Sequence, residues 1–282
     1  MNEVVIHLIC PDQKGIIARF TNQLYNNKIN IISLEQHVES DENIFFMRIH
    51  ADITNMNLDQ NAFSDFINDF KKKLNAQIDY YDYLKPINMA ILCTKEEGPV
   101  LELILKQKAG KLNCNIPAII SNHESLSDVA NRHNIDYYHF PIANDKQNQE
   151  EQILNLLHDK KIDLIVLARY MQILSPEFVS KYSNQIINIH HGFLPAFKGS
   201  KPYHRAWEKG VKMIGATAHY VTSELDEGPI IEQDVESVTH HFSVNELIET
   251  GRDIERKVLL LAVQAHLEHK ILIHKKRTII FH

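Results

Sequence analysis

Apolar side chains recur along this chain in two rhythms, and the switches between them mark out the elements. Residues 4–10, Val-Val-Ile-His-Leu-Ile-Cys, read as a strand that ends in the turn Pro11-Asp12-Gln13-Lys14-Gly15. Residues 16–27 then place Ile16, Ile17, Phe20 and Leu24 on one helical face. Two strands, 29–39 and 44–53, flank the polar turn Ser40-Asp41-Glu42-Asn43. A second helix carries Phe63, Phe66, Ile67, Phe70 and Leu74 at helical spacing, and residues 77–83 close as a strand. The order βαββαβ predicts a ferredoxin-like unit over residues 1–84.

Lys85-Pro86 breaks that pattern. Strand-like runs at 87–93, 116–121, 137–141 and 162–168 now alternate with helical runs at 100–107, 124–133 and 150–158. Continuous apolar strands interleaved with helices predict an open, mostly parallel, Rossmann-like α/β domain over residues 85–282, both sheet faces covered. In such a sheet the ligand sits beyond the carboxyl ends of the strands. Further strands are expected at 186–190, 214–221 and 230–238. Residues 243–269 read as one amphipathic helix whose Ser243 and Glu246 have capping-box spacing.

With 44% hydrophobic and 23% charged residues the chain has the composition of a folded globular protein. A formal net charge of -6 supplies no general attraction for nucleic acid or an anionic membrane, so neither is expected as a partner. Lys275-Lys276-Arg277 reads as a solvated basic patch. Glu3 stands where a signal peptide is basic, and no run approaches the roughly 18 apolar residues that span a bilayer. The expected location is cytoplasmic. Cys10, Cys93 and Cys114 lie far apart, each in or beside an apolar run, and read as small buried residues in a reducing compartment.

The densest chemistry lies in residues 186–233. Alternation along the first strand puts Asn188 and His190 on one face. An amide that donates to a developing oxyanion, beside an imidazole that shuttles a proton, suits attack on a carbonyl. The pattern alone is equally compatible with a strand end whose polar side chains satisfy the following loop. Downstream, Thr217, His219 and Val221 share a face of a strand that leads into Leu225-Asp226-Glu227-Gly228-Pro229, where Gly228 and Pro229 end a tight loop able to fix Asp226.

The run NIHHGFLPAFKGSKPYHRAWEKGVKMIGATAHYVTSELDEGPIIEQDV resembles the catalytic core of the folate-dependent formyltransferase family, marked by Asn-x-His and a later L-D-x-G-P loop. Asn188, His190 and Asp226 match those positions, which implies catalytic roles for them. The double histidine and the long downstream match are most similar to the deformylase branch, whose members transfer the formyl group of 10-formyltetrahydrofolate to water. The resemblance implies that Asp226 orients and activates that water. Residues 1–84, with Pro11-Asp12-Gln13-Lys14-Gly15-Ile16 after the first strand, resemble an ACT domain; this implies an amino-acid effector near Asp12, Lys14 and Gly15, and a homo-oligomer. Residues 167–176 resemble the family's folate loop, so Met171, Gln172, Ile173 and Leu174 are assigned to substrate binding, together with Thr217, His219 and Gly228. Two positions depart from the family: Gly192 replaces a usual Ser, and residues 93–99 lack a His-Cys-Leu pattern.

A transferase that uses a phosphorylated amine needs a glycine-rich phosphate cradle after the first strand of its α/β domain, and here that turn carries Glu96-Glu97. Water is therefore the expected acceptor. A transfer-RNA formyltransferase is disfavoured by charge and by the absence of a basic appended domain. The seventeen histidines suggest a metallohydrolase, yet neighbours such as His190-His191 are expected on opposite strand faces; no metal and no cofactor are expected. A folate-binding or amino-acid-sensing protein without turnover is the non-enzymatic alternative.

Overall fold

The structure, a computed structural model, describes residues 2–142, 145–195 and 202–281, which form two compact units. Residues 196–201 of the LPAFKGSKPYH stretch lie outside the described residues.

The first unit contains β1 (Glu3–Pro11), α1 (Ile16–Asn26), β2 (Asn30–Glu39), β3 (Ile44–Asp52), α2 (Gln60–Leu74) and β4 (Gln77–Asp82). The strands form an antiparallel sheet in the order β2-β3-β1-β4. Period-two alternation turns Val4, Ile6, Leu8 and Cys10 of β1, with Phe45, Met47 and Ile49 of β3, toward Phe20, Leu24, Phe63 and Phe70 of the two helices. The expected βαββαβ order is observed.

The opposite face is closed by the end of the chain. Residues 268–274 and 279–281 cluster with residues 2–86, although the sequence assigns them to the second domain. Leu272, Ile279 and Phe281 pack on Ile9, Ile44 and Phe46. Buried Arg48 fastens this segment, donating from Nε to the His269 carbonyl at 2.7 Å, from Nη2 to the Glu268 carbonyl at 2.9 Å and from Nη1 to Glu35 at 3.0 Å. Burial lowers the His7 pKa to about 4, and the neutral ring bonds the same His269 carbonyl at 2.8 Å. Tyr81 stacks on the His269 ring with centroids 4.3 Å apart. The strands β12 (Ile271–His274) and β13 (Arg277–Ile280) are too short for periodicity to reveal, and Lys275 and Lys276 are their turn rather than a tail.

The second unit comprises residues 87–267 and 275–278. Its strands β5 (Ile87–Cys93), β6 (Cys114–Ser121), β7 (Tyr137–His139), β8 (Leu164–Ala168), β9 (Ile186–His190), β10 (Met213–Tyr220) and β11 (Ile230–Ser237) form one sheet, ordered β11-β10-β9-β8-β5-β6-β7. The pairs among β5 to β9 are parallel, whereas β10 and β11 run antiparallel. Helices α3 (Glu97–Lys108), α4 (Ser127–Arg132) and α5 (Lys146–Asp159) connect the parallel strands; α6 (Pro176–Lys181), α7 (Pro202–Glu208) and α8 (Val244–Leu267) follow. Ala90, Leu92, Ala118, Ile120 and Ile165 meet Ile153, Leu157 and Phe178 on one side of the sheet. Helix α8 packs on β9, β10 and β11 with Val258, Leu259, Ala262 and Val263 buried. Its capping box is formed: Ser243 N donates to Glu246 Oε2 at 2.7 Å, and Glu246 N to Ser243 Oγ at 3.3 Å. Helices α6 and α7 span six and seven residues, too few for a hydrophobic rhythm to announce them.

All three cysteines are buried and unpaired, and burial raises the thiol pKa to about 11 at Cys10 and about 12 at Cys93 and Cys114. Among the described residues no helix is long and apolar enough to cross a membrane. Replacing Arg48 by Ala strands the Glu35 carboxylate and two carbonyls, and is expected to cost about 3–5 kcal/mol. Hydrogen exchange across residues 268–281 should accelerate in that variant; unchanged protection would remove Arg48 as the anchor.

Candidate active site

Strands β9 and β10 build the centre. Their antiparallel register sets His219 opposite Asn188 and Thr217 opposite His190, and cross-strand partners touch. Asn188 Nδ2 lies 3.2 Å from His219 Nε2, and His219 Nδ1 lies 2.9 Å from the Tyr220 carbonyl. Nδ1 of His219 thus faces a backbone carbonyl, and Nε2 faces the Asn188 amide.

The loop after β10 delivers the carboxylate. Asp226 adopts a left-handed backbone with φ of 56°, a conformation that Asp tolerates better than most residues. Two residues on, a Cβ at Gly228 would lie 1.7 Å from the Tyr220 carbonyl oxygen, so only glycine fits. The loop closes with Tyr220 N donating to the Pro229 carbonyl at 2.9 Å. Asp226 Oδ2 thereby sits 3.3 Å from His190 Nδ1 and Oδ1 3.6 Å from His219 Nε2. Its hydrogen bond to His190, followed by that to His219, holds the carboxyl well below the usual carboxylate range. His190 Nε2 is buried and has no protein partner among the described residues.

These groups line a cavity of about 380 Å³, within the size range of small-molecule sites. Its apolar rim comes from the loop after β8. Arg169 turns that loop with a φ of 61°, Met171 N donates to Thr94 Oγ1 at 3.1 Å, and Ser175 N donates to the buried Glu150 carboxylate at 3.0 Å. Ser175 then caps α6 by accepting from Phe178 N at 3.1 Å. Between these anchors Tyr170 and Leu174 pack inward, leaving Met171 and Ile173 exposed.

Of the residues assigned from sequence, Asn188, His190, Asp226, Met171, Gln172, Ile173, Leu174 and His219 line this one cavity. Thr217 and Gly228 do not. Thr217 is fully buried beneath the turn after β9, where its hydroxyl donates to the Gly192 carbonyl at 2.9 Å and accepts from Leu194 N at 3.0 Å. Gly228 is a spacing residue against Tyr220. In the first unit, Asp12 and Gly15 line a separate cavity of about 500 Å³ with Gln36, Val38 and Phe45; Lys14 is not part of its lining. The opposite-face expectation for His190 and His191 is also corrected. Strand β9 ends at His190, the chain bends, and the two rings stack with centroids 5.3 Å apart and planes 11° from parallel.

Sequence reasoning missed a polar cluster beside this centre. Glu255, 1% exposed, accepts from Tyr203 Oη at 2.7 Å and lies 3.2 Å from Arg169 Nη1 as a charge pair without hydrogen-bond alignment. Burial pushes its carboxyl upward, against the pull of Arg169 and Tyr203. Tyr203 reaches it only because residue 251 is glycine: a Cβ there would lie 2.1 Å from the phenol oxygen. The available signal was an acid on the same helical face as Val258 and Leu259. Arg169 and Glu255 also line a second cavity of about 250 Å³ with Glu96, Glu97, Arg252 and Arg256. There Arg252 Nη2 pairs with Glu96 at 2.9 Å, and Arg256 pairs with Asp253.

Residues 87–263 match the formyl transferase family and residues 4–65 the ACT domain. Fold and site thus define an ACT-linked protein of the formyl transferase class. The chain is 45% identical over 275 residues to a formyltetrahydrofolate deformylase of Synechocystis sp., covering 96% of each. The crystal structure of a formyltetrahydrofolate deformylase from Pseudomonas syringae aligns with a TM-score of 0.96 at 37% identity, covering 100% of this chain and 95% of that one. A phosphoribosylglycinamide formyltransferase from Anaplasma phagocytophilum aligns with a TM-score of 0.64 at 29% identity, covering 70% of this chain and 95% of that one. The chain belongs to the formyltetrahydrofolate deformylase family.

Replacing Gly228 by Ala is expected to force the Asp226 loop away from Tyr220 and to cost about 1–3 kcal/mol of overpacking strain. Denaturant unfolding measures the loss. Histidine ring NMR should show the His190 Nδ1 contact disturbed, and unaltered ring signals would contradict the spacing role.

Proposed function

We propose that Asn188, His190 and Asp226 hydrolyse 10-formyltetrahydrofolate to formate and tetrahydrofolate in the cavity between the β8 loop and the ends of β9 and β10. The observation that carries this reading is the Asp226 carboxylate held between two imidazoles, which leaves His190 Nε2 as a buried ring nitrogen without a protein partner. Paired with Asp226 through Nδ1, His190 donates from Nε2 to the formyl oxygen while the Asn188 amide donates beside it. As water adds, charge grows on that oxygen, and fixed donors stabilise it without having to reorganise. Asp226 supplies the counter-charge and orients the water. The pteridine lies on Met171, Gln172, Ile173 and Leu174.

The second cavity supports water over a phosphorylated amine as acceptor. Arg252 and Arg256 are already matched by Glu96 and Asp253, and Glu97 and Glu249 add further negative charge. A phosphate entering there meets carboxylates before free guanidinium groups. The formate released feeds one-carbon and purine metabolism in the cytoplasm.

Asp226→Asn should leave tetrahydrofolate binding intact by calorimetry and lower single-turnover formate release about a hundredfold to ten-thousandfold. Asn188→Ala should fall comparably through loss of an oxyanion donor. Faster formylation of glycinamide ribonucleotide than formate release by the unsubstituted protein would overturn the hydrolytic reading.

In the first unit, the cavity at Asp12 and Gly15 supports an amino-acid effector site on a homo-oligomeric ACT domain: Asp12 offers a carboxylate to an ammonium, and Val38 and Phe45 offer apolar surface. Titrating single amino acids should move the melting temperature and the rate of formate release, and Asp12→Ala should abolish both shifts. If no amino acid moves either quantity, the cavity has only a structural role.

A further inference from the structure

Water is a poor nucleophile until a base takes its proton, and the candidates lining the catalytic cavity can be sorted by what already occupies them. Asp226 faces His190 through Oδ2 at 3.3 Å and His219 through Oδ1 at 3.6 Å, and those contacts hold the carboxyl in its weakly basic range, so it can orient a water but is a poor acceptor of its proton. His190 has Nδ1 on Asp226, and its Nε2 is the oxyanion donor in the hydrolytic reading. His219 is held at both nitrogens, by the Tyr220 carbonyl and by Asn188. Glu224, at the rim, has a side chain 68% exposed and is solvated.

His191 differs from all of these. It lines the cavity, it is half-buried, and no hydrogen bond or ion pair engages its ring among the described residues. Because β9 ends at His190, the His191 ring lies parallel to the His190 ring at 5.3 Å rather than on the far face of the sheet. We infer that His191 is the general base of the hydrolysis, accepting the proton of the attacking water while His190 and Asn188 hold the oxyanion. This rests on the hydrolytic reading given above.

Supporting it, burial and then the Arg169 guanidinium lower the His191 pKa to about 4; His190 and Arg205 push the same way and Asp226 opposes them. The ring is therefore neutral, with a lone pair available, at any ordinary working pH. Neighbouring imidazoles so carry opposite roles, the donor set by Asp226 and the acceptor by burial beside Arg169. As the water oxygen bonds to the formyl carbon, one water proton passes to His191 and the carbonyl pair moves onto oxygen. When that pair returns, the bond from carbon to the folate nitrogen breaks and the nitrogen takes the proton from His191. The products are tetrahydrofolate and formic acid, which ionises to formate.

The test compares two acceptors in His191→Gln. Hydroxylamine adds through a neutral nitrogen lone pair, and the acidic ammonium formed in the adduct carries the proton that the folate nitrogen needs. It therefore bypasses both proton transfers assigned to His191 while still using the oxyanion donors. Formate release should fall at least about a hundredfold, with formyl transfer to hydroxylamine and calorimetric tetrahydrofolate binding within about threefold of the parent. Equal loss toward both acceptors would make His191 a structural residue, and an unchanged rate of formate release would remove it from the reaction; either overturns the inference. Absence of formate release from the unsubstituted protein is a separate outcome, which would overturn the hydrolytic reading together with the inference.

Discussion

The second unit depends on placing one carboxylate between two imidazoles, away from bulk water. A partly buried Asp226 is costly unless its charge is matched, and His190 and His219 match it from adjacent strands. That requirement reaches into the fold. The two histidines come together only because β9 and β10 pair antiparallel in the register that sets His219 opposite Asn188. The carboxylate arrives only because Gly228 lets the return loop press against the Tyr220 carbonyl, the same oxygen that fixes His219. Register, loop and imidazole orientation therefore meet at Tyr220, a fully buried residue whose hydroxyl is 2.7 Å from His266 Nδ1 on α8. Burial lowers the His266 pKa to about 4, so this distant end of the network adds no charge to the site.

The loop after β8 answers to a different constraint. A surface that presents Met171 and Ile173 to water collapses unless its backbone is held. The holding groups lie outside the loop: Thr94 at the end of β5 and Glu150 on α5 bond its amides, and Arg169 and Ser175 set its ends. Ordering the loop before the ligand arrives lowers the entropy lost on binding. Apolar exposure here is therefore sustained by polar contacts outside the loop.

Most of the sheet was legible because its strands are continuous apolar runs and its helices repeat at three and four residues. That Asn188, His190 and Asp226 meet in one cavity was legible for a related reason: strand alternation ties Asn188 to His190, and the Gly228-Pro229 turn marks Asp226 as fixed. What escaped depended on the chain leaving regular structure. His191 sits one residue past a strand end, where alternation no longer predicts direction. Arg169 takes its direction from a positive φ. Thr217 shares a face with His219 along β10, yet the turn at residues 192–194 folds over it and removes it from the cavity. The return of residues 268–274 and 279–281 to the first unit was hidden because its anchor, Arg48, reads in sequence as an ordinary polar position on a strand.

Two cavities of the second unit, one lined by Asp226 and one by Glu96, differ in how their charges are paired. A formyl carbon bound next to a pocket able to hold an amine invites transfer to that amine. Water, by contrast, is supplied by the solvent and needs no acceptor pocket of its own. In the hydrolytic reading proposed above no such pocket is required, and in the second cavity Glu96 holds Arg252 at 2.9 Å. Arg169 contacts Glu255 and lines both cavities, which therefore share one guanidinium. Its charge also helps keep His191 unprotonated. One guanidinium thus bears on both cavities, pairing with a buried acid of the second and lowering the pKa of a half-buried imidazole in the first.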